Sequence, residues 1–187
     1  KPIYDPGGRN QTLNNHIVVT ANAATHTLYD FFTEFDTVGN TTTPHLAVIR
    51  SIDFGATWSA ASTVSNLRAI GTHDPQDPSR EIRDGANIAS FAAGPNGVLV
   101  GVWQDSRFSG GAREGVAFTR SIDGGTTWST PVQINGVPAV QALLPAAAVR
   151  PDGTIGVLYY DMRNDTADRA TLLAIGDWDF SWQERYR

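Results

Sequence analysis

Ser51-Ile52-Asp53-Phe54-Gly55-Ala56-Thr57-Trp58 returns as Ser121-Ile122-Asp123-Gly124-Gly125-Thr126-Thr127-Trp128, with Ser, Ile, Asp, Gly, Thr and Trp kept in register. An Arg precedes each copy (Arg50, Arg120) and a Ser follows it (Ser59, Ser129). A third, worn copy reads Asp177-Trp178-Asp179-Phe180-Ser181-Trp182, with the Asp-to-Trp spacing retained. An element that recurs in this way marks a chain built from repeated supersecondary units.

Around each copy the same order of events is legible. In the second unit an apolar run over 87–93 meets Gly94-Pro95-Asn96-Gly97, a second run covers 98–104, and a polar loop spans 105–114. A third run over 115–120 leads into the octapeptide, and 131–134 is a last short strand. The third unit repeats this with 144–149, the turn Arg150-Pro151-Asp152-Gly153, 154–160, a loop over 161–169 and a strand over 170–175. The first unit has strands over 16–21, 28–34 and 45–50, with a loop over 35–44. Runs of this length, bounded by Gly, Pro, Asn and Asp, predict strands joined by tight turns, and no segment carries a sustained helical period. The expectation is an all-β chain of three four-stranded antiparallel meanders at about 14–65, 86–135 and 140–187, forming one domain. A polar connection over 65–85, rich in Pro, Asp and Arg, separates the first two, and a loop of that length is usually functional or disordered.

Composition narrows the function classes. At 187 residues and 41% apolar content the chain has material for a real core. A formal net charge of −5 argues against a nucleic-acid or anionic-membrane partner. No apolar run is long enough to span a bilayer as a helix. Cysteine is absent, which excludes disulfides and thiolate metal sites but leaves the compartment open. The sequence opens on Lys1, consistent with a removed leader or an excised piece. No metal-ligand spacing stands out and no cofactor is expected.

Every residue of the octapeptide serves a turn. The Asp carboxylate folds back onto nearby N–H groups, Gly admits a backbone that a Cβ forbids, and Trp lies across the hairpin. The pattern Ser-x-Asp-x-Gly-x-x-Trp resembles the Asp box of the sialidase-like (BNR-repeat) β-propellers. In this resemblance Ser51, Asp53, Gly55, Trp58, Ser121, Asp123, Gly125 and Trp128 are structural. It implies a β-propeller with about three blades in this chain, the ring being incomplete or completed by association. Two such chains would make six blades, the sialidase number. It also implies a secreted, periplasmic or cell-surface protein that binds glycans or other carbohydrate.

In such a meander the Asp boxes and the Pro-Asn/Asp-Gly turns share one end, so chemistry is sought at the other. There Asp-x-Arg recurs, as Asp105-Ser106-Arg107 and Asp161-Met162-Arg163, and the connection adds His73, Asp74, Asp77, Arg80, Glu81, Arg83 and Asp84. Arg suits bidentate capture of a carboxylate, and carboxylates supply general acid–base chemistry. The resemblance to sialidases implies arginines on the sugar carboxylate, a Tyr–Glu nucleophile pair and an acid/base Asp. The candidates are Arg107, Arg163 and Arg83 for substrate binding, and Glu114, Asp105 and Asp161 for catalysis. A repeated Asp-x-Arg is also the pattern of an ion pair within or between blades, the better reading for Asp105 and Asp161, whereas Arg107 and Arg163 can bridge blades and still present a fork to the centre. The Phe/Tyr-Arg-Ile-Pro motif of sialidases is absent, and Glu114 stands where an acid/base Asp is expected. Two readings follow. The domain recognises and hydrolyses terminal acidic sugars, or it is a binding or architectural propeller without catalysis.

Overall fold

The computed structural model describes residues 2–21 and 26–165, together with the backbone of 179–182. The chain is all-β. Its first sheet has the order β1 (Gln11–Ala21), β2 (His26–Val38), β3 (Thr41–Ser51), β4 (Ser62–Asn66). A two-stranded hairpin follows, β5 (Thr72–Asp74) with β6 (Asp77–Ile82). The second four-stranded sheet comprises β7 (Ser90–Ala93), β8 (Leu99–Asp105), β9 (Gly115–Ser121) and β10 (Val132–Gln133), again paired in chain order. In the third, β11 (Ala142–Val149), β12 (Ile155–Asp161) and β13 (Asp179–Trp182) are neighbours. All pairings are antiparallel, and the described residues close no ring.

The sheets pack face to face through alternating side chains. Phe31 lies flat on Phe91, ring centroids 3.9 Å apart, and Trp128 stands edge-on to both. Leu46, Leu99 and Trp103 complete this core between the first and second sheets. Val100, Val102 and Val116 of the second sheet meet Val157 and Tyr159 of the third in another. On the first sheet's far side Phe32, Ala47 and Ile49 are covered by Tyr4 and Trp58. Ile17 and Val19 of β1 stay about half exposed, at 53% and 51%.

The two octapeptides form the same hydrogen-bonded turn. Ser51 Oγ donates to Asp53 Oδ1 (2.7 Å) and accepts from Gly55 N (2.8 Å); Ser121 does the same with Asp123 and Gly125 at 2.7 and 2.9 Å. Each Asp accepts from a Thr backbone N–H and hydroxyl four residues on, Thr57 or Thr127. The flanking pairs close the hairpin, through Ser59 N to Arg50 O and Ser129 N to Arg120 O, both 2.9 Å. These bonds hold both carboxyls down at about 2, the Thr hydroxyl being the largest cause.

Three expectations need correction. The loop expected over 35–44 is a continuation of the β2–β3 ladder, which runs to Val38–Thr41 because a Thr-rich stretch keeps pairing, with Thr37 and Thr42 hydroxyls 3.1 Å apart. The long connection holds the β5–β6 hairpin. The worn octapeptide is in part a strand, since Asp179–Trp182 pairs with β12. It lacks both the Ser that caps the Asp and the Gly that permits the turn. The strand expected over 170–175 lies outside the described residues.

The two good copies differ at Phe54/Gly124 and Ala56/Thr126, and the first pair matters for the backbone. Phe54 adopts φ 59° and is 77% exposed, whereas Gly124 takes φ 68° beside the Tyr29 hydroxyl. A bulky residue in the left-handed region is strained by about 1 kcal/mol. Phe54→Gly is expected to stabilise the protein by less than about 1 kcal/mol in urea unfolding, the relieved strain being partly offset by loss of the Phe54–His26 ring contact. Because the folded-state carboxyls of Asp53 and Asp123 titrate below their ordinary 3.8, they stabilise the fold fully above about pH 4. That contribution is lost as pH falls through about 2. Asp123→Asn should therefore flatten the fall in stability between pH 4 and 2, read by acid titration of tryptophan fluorescence.

Candidate functional site

Residues 67–89, between β4 and β7, form a structured wall at the end of the sheets opposite the octapeptide turns. Side chains from the second sheet and its exits clip it in place. Gln104, fully buried on β8, accepts from Gly85 N (3.1 Å) and donates to Asp84 Oδ2 (2.9 Å), while its Oε1 also accepts from Leu144 N (3.0 Å). Gln141 accepts from His73 N (3.1 Å) and donates to His73 O (2.5 Å). Glu114 accepts from Ile70 N (2.5 Å) and Gly71 N (2.8 Å) on one oxygen. The carbonyl of Arg68 takes both the N–H and the hydroxyl of Ser106. Backbone polar groups in a segment this long need partners, and the Gln104 and Gln141 amides, the Glu114 carboxyl and Ser106 supply them.

Two clefts flank this wall. One, of about 540 Å³, is lined by His73, Gln76, Arg113, Gln141 and Asp165, with Ile70, Pro75, Val140 and Met162 between them. The other, of about 460 Å³, lies at the hairpin base and includes Glu81, Arg83, Asp84 and Asn87. A third, smaller cleft of about 340 Å³ holds Tyr4, Glu34, Asp36 and His45 on the first sheet.

The nominated residues fall into three environments. Asp105 is fully buried and accepts from the Trp103 indole (2.8 Å) and from Arg107 N, Nε and Nη2 at 2.7–2.9 Å. Arg107 also donates to Asn66 O of the first sheet and lies over the Trp103 ring. Asp161 is likewise engaged by Arg163 through N, Nε and Nη2. Asp161 holds the Arg163 guanidinium above its ordinary range, mainly through the hydrogen bond. Arg83 is exposed and has no hydrogen-bond or ion-pair partner among the described residues.

Glu114 stands apart. It is 1% exposed, Oε2 has no partner among the described residues, and no guanidinium is bonded to it. Burial pushes its carboxyl up to about 7, the Ile70 and Gly71 N–H groups oppose the shift, and Asp84 and Asp105 add to it. The structure thus separates Glu114, under the wall, from the two Asp–Arg pairs at the strand exits, and from Arg83 in the open cleft.

Sequence reasoning missed Gln104 and Gln141, since a Gln carries no signal apart from its partners. It also missed a Tyr–Glu contact, Tyr4 Oη donating to Glu34 Oε2 at 2.8 Å with His45 Nδ1 3.1 Å from Asp36. Burial first, and Glu34 next, push the Tyr4 phenol up to about 12, the opposite of what an activated nucleophile needs. Groups of acidic and histidine side chains able to hold a metal ion are absent among the described residues. No helix among them is long and apolar enough to cross a membrane.

Removing the guanidinium from a fully buried carboxylate leaves that charge uncompensated, at about 3–5 kcal/mol. Arg107→Ala is expected to lower unfolding stability by about 3 kcal/mol, measured by urea denaturation, because Asp105 remains buried. An unchanged midpoint would mean that the pair does not hold the strand exit together.

No family model and no curated protein matches this chain. Among solved structures it is similar to a protein of unknown function from Dyadobacter fermentans, at 16% identity over 85% of this chain and 46% of that one, with a TM-score of 0.47. It is also similar to a mutant of the NanB sialidase from Streptococcus pneumoniae, at 19% identity over 90% of this chain and 22% of that one, TM-score 0.44. A further similarity is to an N-acetylgalactosamine deacetylase from F. plautii in complex with blood group B trisaccharide, at 15% identity over 78% and 40% of the two chains, TM-score 0.39. The chain spans less than half the length of each of these proteins. These are distant likenesses of an all-β, sheet-rich fold.

Proposed function

We propose that the chain is a segment of an Asp-box β-propeller that binds carbohydrate through its loop-rich end, without hydrolysing it. The reading rests on the cleft beside the β5–β6 hairpin. Its wall is held by side-chain clips before any ligand arrives, and preorganisation lowers the cost of binding. Donors and acceptors (Arg113, His73, Gln76, Gln141, Asp165) alternate there with Ile70, Pro75 and Met162. Such a lining suits a sugar, whose hydroxyls need both kinds of partner and whose C–H faces need apolar surface.

The same observations favour a neutral sugar. A clamp for a sugar carboxylate needs an open guanidinium fork, and those of Arg107 and Arg163 are turned onto Asp105 and Asp161. Those two carboxylates are committed to the pairs, which favours binding over acid–base catalysis. Arg83 keeps the acidic-sugar reading in play, being exposed in the neighbouring cleft. On this reading the protein works outside the cytoplasm. The exposed Ile17 and Val19 of β1 would face a further sheet, from a second copy or from more of the same polypeptide.

Isothermal titration with lactose-type neutral oligosaccharides and with sialyllactose separates the alternatives. Saturable binding of a neutral sugar, weakened about tenfold by His73→Ala or Arg113→Ala, is expected; a lost hydrogen bond to a charged group is worth about 1.5–3 kcal/mol. Tighter binding of sialyllactose, abolished by Arg83→Ala, would replace the neutral reading with the acidic one. Release of sialic acid on incubation would overturn the non-hydrolytic assignment.

A further inference from the structure

Glu114 is a buried carboxyl whose only described side-chain partners are two backbone N–H groups. Residues 69–72 run over it as a strap that forms part of both clefts: Ile70 lines each, and Gly71 and Thr72 line the second. Ile70 and Gly71 converge on Oε1, and Oε2 is left without a partner. No cationic side chain among the described residues is bonded to it. Asp84 and Asp105 are the carboxylates that act on it, both raising its affinity for a proton. Arg107 is committed to Asp105 and Asn66 O, and Arg113, next in sequence, directs Nε to Pro138 O. His73, on the hairpin, is held by its backbone to Gln141. An isolated carboxylate in such surroundings takes up a proton rather than remain charged without a counter-ion.

We propose that the strap is a proton-linked latch: it stays closed over Glu114 when that carboxyl is protonated, and lifts to hydrate it when the carboxyl ionises. The direction follows from linkage. In the closed state the carboxyl titrates near 7, whereas in water it titrates near its ordinary 4.5, so the closed state binds the proton more tightly. Closure is therefore favoured below about pH 4.5, and its advantage is lost progressively as pH rises toward 7. Above that the open state gains nothing further. The strap has a built-in pivot: Gly71 holds φ 83° with open space where a side chain would stand, and the Arg68 carbonyl is anchored by Ser106 just upstream. The strap continues into β5 and His73, so opening would loosen the wall of the larger cleft. That consequence for sugar affinity rests on the binding reading above, whereas the latch itself does not.

Amide hydrogen exchange at Ile70 and Gly71, read by NMR from pH 5 to 8 and divided by the intrinsic rate at each pH, tests the latch without any ligand. Protection of these two amides should fall on the order of a hundredfold across the range, as expected for an opening linked to one carboxyl that titrates near 7. Val102, in the middle of β8, should not follow. Glu114→Gln keeps the acceptor and removes the titration, so its protection should stay flat. Asp84→Asn removes a neighbouring charge and should move the wild-type transition to lower pH, and it carries the test if Glu114→Gln does not fold. Flat protection in the wild type, an equal fall in Glu114→Gln, or a parallel fall at Val102 would each overturn the latch. Because no sugar is present, these outcomes are distinct from a failure of sugar binding.

Discussion

Phe31 pressed flat against Phe91, with Trp128 edge-on to both, is the contact on which the arrangement of the sheets depends. A four-stranded sheet with apolar residues on both faces cannot stand alone in water, so each must be covered by a neighbour. These aromatics cover the facing sides of the first two sheets, and aromatic pairs add about 0.5–1.5 kcal/mol each beyond the area they bury. The two repeated turns serve different sides of this arrangement. Trp128 of the second turn joins the inter-sheet stack, while Trp58 of the first covers Phe32, Ala47 and Ile49 on the outer side. Trp58 Nε1 donates to Gly55 O, whereas Trp128 Nε1 is buried with no partner among the described residues.

With the sheets stacked, their loop-bearing ends come together, and the connection over 67–89 is drawn across them. Among the side chains that meet it are Gln104 and Glu114, both buried, and the half-buried Gln141. The two amides offer donor and acceptor at once and are satisfied whatever the pH. A carboxylate offers acceptors alone, which makes Glu114 the clip whose fit depends on a proton. Asp105 and Asp161 show the contrasting solution, since each has an arginine two residues on that wraps back onto it. Glu114 has Gly115 and Val116 after it, and no such option.

How far the sequence revealed this depended on how local each cause is. Ser121, Asp123, Gly125 and Thr127 bond within one turn, so the spacing of the octapeptide specifies its geometry. The Asp-x-Arg pairing is local too, and the ion-pair alternative was visible in the repeat itself. The β5–β6 hairpin was not, because its strands are short and polar: the burial of Asp77–Ile82 shows no apolar alternation. Its order comes from Gln104 and Gln141, which lie 32 and 68 residues away from Thr72 and His73. The worn third copy kept the spacing of Asp and Trp but not the Ser and Gly that make the turn, and spacing alone misread a strand as a clasp.

The same distinction explains why the loop-rich end resisted assignment from residue types. Arginine and carboxylate are the chemistry of acidic-sugar hydrolysis, yet they are also the chemistry of a strand exit that must neutralise its own buried charge. Composition cannot separate these uses, but commitment can. An arginine whose Nε and Nη2 already meet one carboxylate has little left to offer another. Arg83, exposed and unengaged among the described residues, retains that capacity, and Arg113 offers part of it. Among the described residues, the guanidinium capacity still open at this end therefore lies beside the hairpin and on the residues facing it. The strand exit at Asp105–Arg107 instead anchors the chain that leads into the hairpin, through Arg107 to Asn66 O and Ser106 to Arg68 O.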